Sequence, residues 1–156
     1  VEESPNKSDY KPILEAGFHE LSVSEIESIF VSSFPESLRR PLLFSNLNNY
    51  LKILERLDLS FTIWVDGSFL TTKSEPEDID IVVLFDPLQV NNLTEDQENA
   101  FLLISDNSIS RSRFLIDAYF VNKTNRDQKA YWRGLFGFLR DEVTPKGLVQ
   151  LEINNG

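Results

Sequence analysis

The chain has 156 residues, 25 of them acidic and 15 basic, for a formal net charge of −10, with no cysteine and a single histidine, His19. That length suits one domain that buries its own core, while the missing thiols exclude disulfides and thiolate metal centres and leave zinc without its usual ligands. The acidic balance opposes any general grip on a nucleic-acid backbone, no apolar run reaches membrane-spanning length, and no basic-then-apolar leader is visible, so a cytoplasmic protein with no membrane partner is expected.

Residues 1–12, VEESPNKSDYKP, are polar, contain two prolines and lack an apolar period, which predicts a flexible arm ahead of a single domain over 13–156. His19 reads as a surface or capping residue. Ser22 and Glu25 have capping-box spacing, and Val23, Ile26, Ile29 and Phe30 recur at helical intervals before Pro35. From Pro41 to Asp58 the residues Leu43, Leu47, Tyr50, Leu51, Leu54 and Leu57 keep a 3.6-residue period, the strongest helical signal in the chain. Phe61 to Asp66 reads as a strand, Ser68 to Lys73 as a turn of helix or a loop, and Asp78 or Ile79 to Phe85 as a second strand stopped by Asp86-Pro87. Thr94 with Gln97 offers another capping box, opening a helix that ends near Ser105. Ser112 to Val121 reads as a third strand, Asn122 to Gln128 as a polar loop, and Leu148 to Ile153 as a final strand after Pro145-Lys146-Gly147. Helices preceding a mixed β-sheet make the fold class α+β (α/β). Trp64, Trp132, Phe136 and Phe138 read as core or interface aromatics, and the basic clusters Arg39-Arg40, Arg111 with Arg113, and Arg126 to Lys129 as solvated charges.

The chemistry concentrates between Phe61 and Phe85. Alternate strand residues share a face, so Asp78 and Asp80 are expected to project together while Ile79, Ile81, Val83 and Phe85 enter a core. Paired carboxylates repel unless a cation sits between them, and hard oxygen ligands select Mg²⁺. Gly67-Ser68 lies just after the preceding strand, where a glycine permits close backbone approach to a phosphate. Downstream, Asp117 is the lone acid of the third predicted strand, sharing its less apolar face with Arg111, Arg113, Leu115 and Tyr119. Asp66, directly before Gly67, reads either as a further acid near the site or as a turn former, the commoner role at such a position.

Gly67, Ser68, Asp78 and Asp80 resemble the Gly-Ser and Asp-x-Asp signature of the DNA polymerase β-like nucleotidyltransferase superfamily, in its small form, the minimal nucleotidyltransferases. The stretch YWRGLFGFLRDEVTPKGLVQLEI also resembles the ending of an uncharacterised bacterial family of nucleotidyltransferase-like proteins. The resemblance implies a third carboxylate on a later strand, for which Asp117 is the candidate. It further implies two-metal transfer of a nucleoside monophosphate from a triphosphate, with ATP expected and Mg²⁺ or Mn²⁺ held by Asp78, Asp80 and Asp117. Gly67 and Ser68 would hold the phosphates. Two departures stand out: Phe69 to Lys73 replaces the usual arginine and further glycine, leaving Lys73 as the substitute cation, and Glu77 replaces the usual serine. The superfamily's small members often belong to toxin-antitoxin or phage-defence modules, so a toxin or antitoxin partner is implied. The net charge favours a protein hydroxyl over tRNA as acceptor. The rivals are a non-catalytic binding module such as an antitoxin-like subunit, and a metal nuclease.

Overall fold

A computed structural model describes residues 10–138 and 145–154. Five strands form one mixed sheet in the order β1-β5-β2-β3-β4: β1 Gly17–Glu20, β2 Phe61–Asp66, β3 Ile79–Phe85, β4 Ile116–Asn122 and β5 Gly147–Ile153. β2 runs antiparallel to both β3 and β5, whereas β1 with β5 and β3 with β4 are parallel. Helices α1 Val23–Glu27, extended by a π-turn at Ser28–Ser32, and α2 Arg39–Glu55 lie between β1 and β2, so one strand that the sequence pattern did not show precedes them. Between β3 and β4 come α3 Pro87–Val90, α4 Glu95–Ile104 and α5 Asn107–Phe114, and α6 Arg126–Phe136 follows β4. The α+β class and the helices packed on a mixed sheet follow the sequence pattern.

The larger core lies on one face of the sheet. Ile26 and Phe30, the α2 stripe Leu43, Leu47, Tyr50, Leu51 and Leu54, and Ile104 of α4 meet Ile63, Val65, Ile79, Ile81, Ile116 and Ala118 there. Each fully buried leucine of that stripe contributes about 1.5–3 kcal/mol, so packing rather than propensity holds α2 in place. Both predicted capping boxes form, Ser22 with Glu25 and Thr94 with Gln97. The opposite face carries a smaller cluster of Trp64, Val82, Leu84, Val121, Phe136 and Leu148, covered in part by α6 through Trp132 and Phe136. Of the aromatics expected in a core, Trp64 and Phe136 are buried, Trp132 is half-buried against Tyr119, and Phe138 is exposed.

Several expectations need correction. The third predicted strand begins at Ile116, because Asp106 accepts from the Ser108 amide at 2.9 Å and caps α5, which ends only at Leu115 in the left-handed region, φ 56°. Arg111 and Arg113 therefore ride on a helix and do not share a strand face with Asp117. The predicted polar loop of Asn122 to Gln128 is cut short by α6, whose cap is Asn125 accepting from the Gln128 amide at 3.0 Å. Arg40 is fully buried, so Arg39-Arg40 is not a solvated pair. Residues 1–9 of the predicted arm lie outside the described residues, and its last part is tied down, the Thr72 amide donating to Lys11 O at 2.9 Å. His19 is half-buried on β1, with Nε2 2.6 Å from Glu15 O.

Candidate functional site

Strand register builds the site. Asp66 of β2 faces Asp80 of β3, and Asp80 faces Asp117 of β4, so three carboxylate-bearing residues lie in a row across adjacent strands. Because Val65, Ile79, Ile81, Ile116 and Ala118 enter the larger core, alternation turns Asp66, Asp80 and Asp117 to the other face. The row therefore sits at one end of the sheet, on the side of the smaller cluster.

Gly67 closes over Asp80. Its φ of 96° with ψ of −173° is a conformation available essentially to glycine alone, and a Cβ placed there would lie 2.8 Å from Asp80 Oδ2 and 3.3 Å from the Asp80 amide nitrogen. Ser68 opens a single 3₁₀ turn, Ser68–Leu70. It is 2% exposed, and its hydroxyl has no hydrogen-bond partner among the described residues. An orphaned buried hydroxyl costs about 1–3 kcal/mol, a tension that a ligand reaching it relieves.

At the β4 end, Asp117 is held by two donors. Asn107 Nδ2 donates to Oδ1 at 2.7 Å, and the Tyr119 hydroxyl donates to Oδ2 at 3.1 Å. Burial pushes the Tyr119 hydroxyl above its usual range, and the Asp117 charge adds to that push. At the β2 end, Asp66 is 3% exposed and faces Lys146, whose Nζ lies 2.8 Å from Oδ1. Burial raises the Asp66 carboxyl to about 7, with Lys146 pulling against the rise and Asp80 reinforcing it. Asp66 is thus the third acid of the row and is tied to a lysine 80 positions away.

Asp78 lies two residues before Asp80. It precedes β3 and lines a cleft of about 510 Å³ together with Arg39, Glu75, Glu77, Arg111 and Leu115. Hydrogen bonds tie the cleft wall to α2: Arg39 Nε donates to Pro76 O at 2.9 Å and Nη2 to Glu77 O at 2.8 Å, while Glu75 accepts from the Ser37 hydroxyl and from the Leu38 amide at the start of α2. The Ser37 hydroxyl holds the Glu75 carboxyl below its usual range, with the Arg39 and Leu38 amides assisting. Lys73 places its Nζ 5.7 Å from the Tyr10 ring centroid.

The structure thus brings Gly67, Asp80 and Asp117 together, adds Asp66 and Lys146, puts Asp78 directly before β3 beside the cleft, and sets Lys73 near Tyr10. Among the described residues no group of three or more His, Cys, Asp or Glu already converges on one metal position. The donors suit a hard divalent ion: carboxylate oxygens from adjacent strands and a glycine whose missing Cβ leaves room beside Asp80, followed in the chain by a buried hydroxyl with no partner among the described residues.

Fold and site define an α+β domain with a row of carboxylates at one end of a five-stranded mixed sheet. The chain belongs to DUF6932, a family of unknown function, whose model matches residues 6–152. No curated protein and no solved structure matches it. Among the described residues no helix is long and apolar enough to cross a membrane.

Proposed function

We propose that the domain is a metal-dependent nucleotidyltransferase that moves a nucleoside monophosphate, with ATP as donor, onto a macromolecular hydroxyl, a protein being favoured over tRNA. The observation that carries this reading is the pairing of Asp80 with Asp117 on adjacent parallel strands, under a Gly67 that only a missing side chain lets approach. Asp80 and Asp117 would hold Mg²⁺ or Mn²⁺, with Asp78 supplying a ligand from the cleft edge. Bound there, the ion lowers the pKa of the acceptor hydroxyl and neutralises charge on the phosphates. Gly67 and Ser68 hold the phosphate tail so that the α-phosphorus meets the acceptor in line. The acceptor oxygen bonds to that phosphorus, the bond to pyrophosphate breaks, and Asp117 takes the acceptor's proton. Tyr119 and Asn107, both donating to Asp117, fix the direction of its carboxylate.

One observation favours a second reading. The Ser68 hydroxyl is closed to solvent, as suits a non-catalytic module, antitoxin-like, that uses the fold to bind a partner. Incubation with α-labelled triphosphate, Mg²⁺ or Mn²⁺ and cell extract separates the two. Transfer of label to a protease-sensitive product in the wild type, lost in Asp80→Asn and Asp117→Asn, supports nucleotidyl transfer. Failure to transfer label, together with no metal-dependent binding of triphosphate, refutes it. Label that disappears with ribonuclease instead moves the acceptor to RNA, and a toxin-antitoxin setting predicts that the labelled species is a stable partner of the chain.

A further inference from the structure

Arg40, the second residue of α2, is the largest fully buried side chain among the described residues, and none of its guanidinium hydrogen bonds goes to a carboxylate. Nη1 donates to Phe30 O at 2.8 Å and Phe69 O at 2.7 Å, Nη2 to Thr71 O at 2.7 Å and Lys73 O at 2.6 Å, and Nε to Lys73 O at 3.2 Å. The group lies 3.7 Å over the centroid of the Phe34 ring. Phe69, Thr71 and Lys73 are alternate residues of the segment that leaves Ser68. The other edge of that segment is also held, the Ile13 amide donating to Leu70 O at 3.0 Å and the Thr72 amide to Lys11 O at 2.9 Å. β2 fixes the chain up to Asp66, and Arg40 fixes it from Phe69 onward. Only Gly67-Ser68 lies between.

Burying a cation among carbonyls is a costly way to stabilise a loop, since well-packed apolar side chains commonly do as well or better. Burial accordingly lowers the guanidinium pKa to about 10, with Glu75 opposing. What the planar five-donor fork provides, and an apolar group cannot, is a defined position for several carbonyls at once. Its charge also rests one peptide from Ser68, where the orphaned hydroxyl sits.

We propose that Arg40 is the positioning residue of the Gly67-Ser68 cradle, setting it to receive the triphosphate of a nucleotide. This rests on the nucleotidyl-transfer reading. It assigns the cation missing from the loop after Gly-Ser to the core behind that loop rather than to Lys73, whose carbonyl is itself held by Arg40.

The test compares wild type, Arg40→Met and Arg40→Lys in two titrations: Mn²⁺ alone by electron paramagnetic resonance, and the non-hydrolysable α,β-methylene analogue of ATP with Mn²⁺ by calorimetry. Hydrogen exchange is followed over residues 67–73. Arg40→Met is expected to bind Mn²⁺ within twofold of wild type and the analogue at least tenfold more weakly. Arg40→Lys, with three donors in place of five, should fall between, and exchange over 67–73 should quicken in both. Equal analogue affinity in Arg40→Met and wild type overturns the proposal. So does a parallel loss of Mn²⁺ and analogue affinity, which marks a general structural role. If Arg40→Met does not fold, Arg40→Lys decides, and faster exchange with unchanged analogue affinity overturns the idea. Wild type that shows no metal-dependent analogue binding removes the nucleotidyl-transfer reading itself, and this proposal with it.

Discussion

Gly67→Ala tests the junction on which the site depends. The backbone at Gly67, φ 96° and ψ −173°, lies in a region that costs a residue with a side chain about 1–3 kcal/mol. The new methyl would also meet Asp80 Oδ2 at 2.8 Å and the Asp80 amide nitrogen at 3.3 Å. The carboxylate can swing aside, but the backbone nitrogen belongs to β3 and gives only a few tenths of an ångström. Strain and displacement together predict a loss of roughly 2–4 kcal/mol, or about 5–15 °C in melting temperature for a domain of this size. Gly134→Ala is the internal control, because α6 leaves open space around Gly134 and the exchange removes a helix penalty of up to about 1 kcal/mol. Urea and thermal unfolding should move the two variants in opposite directions, and on the metal-dependent reading proposed above Gly67→Ala should also bind Mn²⁺ more weakly as Asp80 is pushed aside. A Gly67→Ala protein within about 0.5 kcal/mol of wild type refutes the argument, since surface-like tolerance has no place at such a position.

What was legible in the chain was whatever a short window contains. β2 matches its predicted bounds, β3 and β5 come within a residue, and both capping boxes form, because period and cap chemistry act over two to four neighbours. Gly67, Asp80 and Asp117 were legible for the same reason: each is a polar interruption next to an apolar alternation. α5 was missed because Ser112 to Val121 alternates well enough to pass for a strand, although Asp106 carried a cap signal that could have broken the run. α6 hid behind a polar first turn, yet Asn125 is a cap as plain as Thr94. The remaining errors are long-range. Nothing near Asp66 announces Lys146, and nothing near Arg40 announces carbonyls 29–33 residues downstream.

Two further predictions concern groups buried behind the site. Tyr50→Phe removes the hydroxyl that donates to Ile104 O at 2.8 Å, leaving a buried carbonyl unpaired where α2 meets α4, so chemical denaturation should register a loss of about 1–2 kcal/mol. No loss would mean that Ile104 O has another donor. Asp66 supplies the pH dependence. Its folded-state pKa of about 7 stands above the unfolded carboxylate value of about 3.9, so the folded state holds a proton that the unfolded state has released. The contribution of this group to stability is therefore largest at low pH, is lost as pH rises towards 7, and is flat beyond. Over pH 5 to 7 the loss amounts to about 2–3 kcal/mol, with the opposing pull of Lys146 already contained in the value of about 7. Glu75 and Asp106, both held below their usual range, slope the other way at lower pH, so the wild-type profile alone is not diagnostic. The difference between Asp66→Asn and wild type isolates the group: measured in chelator by urea unfolding, the variant should gain on wild type from pH 5 to 7 and hold steady to pH 8. Lys146→Met should extend the window upward, because burial then acts on Asp66 without the lysine against it. A difference between Asp66→Asn and wild type that stays constant from pH 5 to 8 would place the Asp66 proton equilibrium outside that range, and with it the picture of a buried acid held at the end of the row.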